Sequence, residues 1–135
     1  MRTMAATAIL LHDQTPTGHR TRSVRLTLVS ERVTAHEILR RRIEEEVAEH
    51  NRTAPEIYAG LVQPPDAERE LNGYRVKAGR TLDADEQFRA AASAFARNGF
   101  LMLAGDKQIE DLDEEIVVTP GLEVSFVKLV PLVGG

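Results

Sequence analysis

The sequence contains no cysteine. Disulfides, thiolate metal sites and a cysteine nucleophile are therefore excluded from within the chain. No apolar run approaches the roughly 18 residues that a bilayer-crossing helix needs. The opening "MRTMAATAILLHD" has one Arg and a short apolar stretch, but no small-residue cleavage site follows it, so it reads as a strand rather than a leader. Positive charge is not in excess. The 17 Lys and Arg are outnumbered by 21 Asp and Glu, for a formal net charge of -4, which argues against a nucleic-acid partner. No Gly-rich phosphate loop, nucleophile elbow or acid–base pair is visible, and the chain is not expected to be an enzyme. His12, His19, His36 and His50 share no metal-ligand spacing, and the acidic run from Glu110 to Glu115 lacks calcium-loop spacing. No bound metal or cofactor is expected. Internal repeats and low-complexity tracts are missing as well.

What is present is an ordinary globular composition, 42% hydrophobic and 28% charged over 135 residues. That length suits one domain over residues 1–135 with a real core, expected in the cytoplasm. Thr3 to Leu11 form an apolar run, and "HDQTPTGHRT" follows as a turn. "SVRLTLVS" then alternates, with Val24, Leu26 and Leu28 on one face and Arg25 and Thr27 on the other. Two strands around a turn predict an antiparallel hairpin.

"VTAHEILRRRIEEEVAEHN" predicts a helix. Thr34 with Glu37 three residues on is a capping box, and Val33 with Ile38 is placed for a hydrophobic staple. Leu39, Ile43 and Val47 recur every four residues as an apolar stripe expected to lie against the hairpin. In "RRRIEEE" each Arg meets a Glu at i,i+4, which reads as a solvated face. Residues 51–98 are broken by Pro55, Pro64, Pro65, Gly60, Gly73 and Gly79. A short helical piece at 66–71 and a short strand at "YRVKA" are expected there. "LDADEQFRAAASAFARNG" is a second helix, capped by Asp83 or Asp85, striped by Phe88, Ala91, Ala92 and Phe95, and ended at Asn98-Gly99. The remainder returns to strands: "FLMLAG", "EIVV", a turn at Pro120-Gly121, and a long last strand "LEVSFVKLVPL".

Hairpin, helix, insertion and a long last strand follow the order of the β-grasp fold. "LMLAGDKQIED", Leu101 to Asp111, resembles the ubiquitin stretch "LIFAGKQLED", with Asp106 as one extra residue. "PLVGG" resembles the "PVxGG" tail of the bacterial sulfur carriers, the small molybdopterin-synthase subunit and the thiamine sulfur carrier. The chain thus resembles the ubiquitin-like β-grasp family. That implies an α+β fold, a mixed sheet packed on one helix, with a partly helical insertion at about 51–98 and a flexible tail at 131–135.

The resemblance also implies a chemistry. A ubiquitin-activating-like adenylating enzyme uses ATP to activate the terminal carboxylate, which passes to a cysteine as a thioester or becomes a thiocarboxylate. With no cysteine in this chain, the thioester sulfur comes from a partner. Gly135 is then the attachment point, and with nothing after it no processing protease is expected to be needed. Pro131, Leu132, Val133 and Gly134 are the tail that the activating enzyme recognises. Glycine suits the end because, without Cβ, it threads a narrow cleft in conformations other residues resist. Pro131 stiffens the exit from the sheet and removes one ladder donor. Met102 and Leu129 match outward positions of a partner patch, which makes Leu101 and Leu103 inward. Strand alternation opposes that register, because it sets Lys128 on the face of an inward Phe126. Lys107 matches a lysine that carries chains in the family, although Asp106 shifts the turn and an ordinary exposed lysine is the plainer reading.

Three functions stay open. The first is a protein modifier conjugated to targets, with a conjugating enzyme and a deconjugating protease as further partners. The second is a sulfur carrier for cofactor biosynthesis, and the third a non-covalent assembly module with an inert tail. "AGDKQIED" favours the modifier and "PLVGG" the carrier. No membrane partner is expected.

Overall fold

The computed structural model describes residues 6–70 and 73–129. The expected tail residues Pro131, Leu132, Val133, Gly134 and Gly135 lie outside these, as does the expected strand start at residues 3–5. Among the described residues the architecture is α+β, with two helices, a mixed five-stranded sheet and two smaller sheets. In chain order the first elements are β1 (Thr7–Gln14), β2 (Arg20–Leu28), β3 (Arg32–Thr34), α1 (Ala35–Thr53) and β4 (Ile57–Tyr58). Then come β5 (Glu68–Glu70), β6 (Gly73–Arg75), α2 (Ala84–Ala96), β7 (Phe100–Ala104), β8 (Lys107–Ile109), β9 (Glu115–Val117) and β10 (Glu123–Lys128). Among the described residues no helix is long and apolar enough to cross a membrane. The chain divides into two compact units. One takes the residues up to Ile38 and those from Asn98 onward, and the other is Leu39–Arg97.

In the first unit the sheet order is β2-β1-β10-β7-β8. β1 pairs antiparallel with β2 and parallel with β10, and β10, β7 and β8 continue antiparallel. Parallel neighbours cannot be joined by a tight turn, so the first and last strands meet only after the chain has crossed over. The hairpin turn is closed by Thr15 N donating to His19 O at 2.9 Å, with Gly18 at φ +89°. β1 runs three residues past its expected end, through His12, Asp13 and Gln14, because both neighbours give these residues ladder partners. Alternation along β2 is as expected: Leu26 and Leu28 are buried while Arg25 and Thr27 are exposed. Ile9, Leu11, Leu26, Met102, Val124 and Phe126 share the buried face, each contributing about 1.5–3 kcal/mol by leaving water. The Phe100 and Phe126 rings meet there at 6.1 Å between centroids.

β3 and β9 form a two-stranded ladder at the start of α1. The Thr34 cap is present, its Oγ1 accepting from Glu37 N at 3.1 Å. Ala35 N donates to Glu114 O at 2.9 Å and His36 N to Leu112 O at 2.8 Å. Three of the donors that a helix start leaves orphaned are thus satisfied.

In the second unit Leu39, Ile43 and Val47 are buried, as their spacing predicts. Asp83 is the cap of α2, its side chain accepting from Asp85 N at 3.2 Å, and the helix gives way to Asn98 at φ +59°. Residues 66–71 depart from expectation. Glu68–Glu70 is a strand paired with β6 in a three-stranded sheet of order β4-β6-β5. Asp66, at φ +60°, breaks the helical path just before it, and the ladder overrides the helix propensity of "AERE".

Candidate functional site

Of the candidate site residues named from sequence, Met102, Leu129 and Lys107 are described. Met102 is fully buried, packed on the face of Phe126 and Val124, whereas Leu101 and Leu103 point to the other face and are half exposed. The inside–outside assignment taken from the ubiquitin alignment is therefore reversed on β7, because Met102 stands opposite the inward Phe126. Lys128 sits on the Phe126 face at the strand end, half-buried. Leu129, also half-buried, donates its N–H to Gly99 O at 3.2 Å, but Met102 does not join it on an exposed surface. Lys107 is exposed and pairs with Glu114 at 3.2 Å. Glu114 also accepts from Glu110 N at 2.6 Å and Asp111 N at 3.1 Å, which holds its carboxyl below the usual range. The acidic loop is thus wound around a carboxylate that caps it.

On the other face of the sheet the first unit assembles a polar array. His12 on β1 stands opposite Ser23 on β2 and diagonal to Glu123 on β10. His12 Nδ1 is 2.7 Å from Ser23 Oγ, and His12 Nε2 is 3.1 Å from Glu123 Oε1. The imidazole is 3% exposed, yet Ser23 is exposed. Arg20 Nη2 reaches Glu123 Oε2 at 3.3 Å. A β-bulge explains how it gets there. The register slips between Asp13 and Gln14, so that Arg20, not Thr21, faces Gln14 and turns to the His12 side of the sheet. The hydrogen bond from His12, and then the Arg20 charge, hold the Glu123 carboxyl below the usual range. An ionised carboxylate only accepts, so Nε2 donates to Glu123, and in the neutral ring Nδ1 is then the acceptor for the Ser23 hydroxyl.

The second unit buries a different polar set. Three ion pairs line "RRRIEEE", and two are surface pairs as expected, Arg40–Glu44 at 3.7 Å and Arg41–Glu45 at 4.0 Å. The third is not. Arg42 Nε donates to Glu46 Oε1 at 2.6 Å with side chains only 6% and 5% exposed. Glu46 Oε2 accepts from Tyr58 Oη at 3.3 Å and Leu61 N at 3.1 Å. Burial, and then the Glu46 charge, push the Tyr58 phenol above its usual range. His50 meets the Tyr58 ring edge-on at 5.3 Å, and Gln87 Nε2 donates to Val62 O at 3.3 Å. His50 Nε2 and Gln87 Oε1 are buried without a hydrogen-bond partner.

No protein-family model, curated protein or solved structure matches this chain.

The structure thus brings together residues that sequence reasoning kept apart. His12 and Glu123 are 111 positions apart, and only the parallel pairing of β1 with β10 makes them neighbours. No local signal marked the pair: His12 fell in the stretch expected as a turn, and Ser23 opened the strand after it. The array can hold and relay a proton between a carboxylate, an imidazole and a hydroxyl. Among the described residues no group of three or more His, Asp or Glu could hold a metal ion.

Proposed function

We propose that this chain is a ubiquitin-like β-grasp protein modifier. A ubiquitin-activating-like enzyme adenylates its terminal carboxylate with ATP, and Gly135 is conjugated to an amine or hydroxyl of a target protein. One observation carries the reading: the N-terminal hairpin and the last strand, β10, share one mixed sheet, with β10 paired parallel to β1. A β-grasp protein whose tail is its working part needs that arrangement, since the strand leading into "PLVGG" is anchored on both sides. The start of α1 beside the β3–β9 ladder agrees with one helix following the hairpin. Pro131, Leu132, Val133 and Gly134 are the segment the activating enzyme grips, and Lys107, the exposed first residue of β8, is the acceptor lysine. The cytoplasm is the compartment in which such an ATP-dependent partner acts.

The tail sequence itself favours a second reading, a sulfur carrier whose carboxylate becomes a thiocarboxylate. One experiment separates the two. The full chain is incubated with ATP and an adenylating enzyme from the same genome, and intact masses are read. Gly135-dependent transfer onto a second protein supports the modifier. Exchange of one oxygen for sulfur on this chain supports the carrier. An unchanged mass, together with full function after deletion of Gly134 and Gly135, overturns both and leaves an assembly module.

A further inference from the structure

We infer that Ser23 is an activated nucleophile, with His12 as its general base and Glu123 as the positioning carboxylate, and that it accepts acyl groups from activated esters. The argument starts from the hydrogen-bond directions. Glu123 and Arg20 fix a charged carboxylate on His12 Nε2, so that nitrogen carries a proton and the neutral ring turns its Nδ1 lone pair to Ser23. The Ser23 Oγ to His12 Nδ1 distance of 2.7 Å is within the reach that proton abstraction by a general base requires. Burial is divided between the members in a useful way. The imidazole is 3% exposed and held by strands on both sides, whereas the serine it serves is an exposed residue. A base that is fixed and shielded beside a nucleophile that is accessible costs little reorganisation when the reagent arrives.

The rest of the face suits an ester. Ser125 stands on the other side of His12, in the same row as Ser23. Arg25 lies two residues from Ser23 on the same face of β2 and is exposed, a cation near the developing oxyanion. Among the described residues β2 is the edge strand of the sheet.

The step balances without a further reactant. Ser23 Oγ bonds to the ester carbonyl carbon as its proton passes to His12 Nδ1, and Glu123 steadies the resulting imidazolium. The carbon–oxygen bond to the leaving alcohol then breaks, the alcohol takes the proton from His12, and an acyl-Ser23 ester remains. The proposal concerns this acyl-accepting half-reaction and is independent of the tail.

The test is acylation of the full chain by p-nitrophenyl acetate, read as p-nitrophenolate release and by peptide mapping. Ser30 and Ser93, both exposed, are internal references in the same molecule. Ser23 should acetylate on the order of a hundredfold faster than either. Ser23→Ala should abolish the fast phase while leaving the rates at Ser30 and Ser93 unchanged. Glu123→Gln, whose carboxamide no longer dictates the tautomer, should slow Ser23 acylation at least tenfold. Glu123→Asp, which keeps the charge, should recover part of the rate that Glu123→Gln loses, a rescue that a merely structural hydrogen bond would not produce. Acetylation of Ser23 no faster than that of Ser30 and Ser93 would overturn the proposal. So would adducts confined to lysines and the amino terminus, or a Ser23 rate that Glu123→Gln leaves unchanged.

Discussion

Arg42 and Glu46, one helical turn apart on α1, form an ion pair at 2.6 Å inside the second unit, with side chains 6% and 5% exposed. The same arginine–glutamate spacing at Arg40–Glu44 and Arg41–Glu45 makes only surface contacts. Removing one partner of a buried pair leaves the other charge without compensation. Glu46→Ala also strips Tyr58 Oη and Leu61 N of their acceptor. It should cost about 3–5 kcal/mol, against about 0.3–0.5 kcal/mol for Glu44→Ala. Tyrosine fluorescence during urea unfolding is the measurement, because the chain has no tryptophan and its two tyrosines, Tyr58 and Tyr74, both lie in this unit. Equal costs at the two positions would refute the burial argument.

Gly60 is required by a close approach. A Cβ there would fall 2.1 Å from the Tyr58 ring at Cζ, a separation no side chain tolerates. Gly60→Ala should therefore displace Tyr58 and cost about 1–3 kcal/mol or more. Gly60→Ala combined with Tyr58→Ala should cost less than the sum of the single changes, since the clash is lost with the ring. Additive costs in that cycle would show that Gly60 serves some other purpose.

The reversed face of β7 yields a pair of opposite expectations. Met102→Ala opens a cavity in the core of the first unit and should cost about 2–5 kcal/mol. Leu103→Ala, on the half-exposed face, should cost about 1 kcal/mol or less. Circular dichroism during urea unfolding tests both. The alignment-derived register requires the reverse order.

Two carboxylates set the acid side of the stability profile. Glu114 and Glu123 have their folded-state values lowered, Glu114 first by backbone donors and Glu123 first by His12. Between the folded and the unfolded value the unfolded chain binds more protons, so stability rises with pH in that window. Their contribution is fully present above the ordinary carboxylate range and is lost as pH falls through the lowered values. Glu114→Gln should flatten the acid loss of stability and leave the neutral-to-alkaline side of the profile unchanged in shape. Melting temperatures measured across acidic pH check this. An unaltered acid limb would remove Glu114 from the account.

Much of this protein follows from short-range chemistry. Thr34 and Asp83 cap helices where their side chains reach the first free amides, and the alternation of Leu26 and Leu28 with Arg25 and Thr27 assigns the faces of β2. Such features depend on residues within a turn or two, so the order of residues is enough to determine them. What the order of residues did not determine is who meets whom across the sheet. Glu123 reaches His12 only through the parallel β1–β10 pairing, and Arg20 joins them only because a bulge turns it over. Likewise, identical spacing made three ion pairs look alike, and tertiary burial alone separated Arg42–Glu46 from the other two. Covalent neighbours fix local conformation, but desolvation and long-range pairing depend on what the folded chain sets beside a residue. That is why the elements were legible in advance and the His12 array was not.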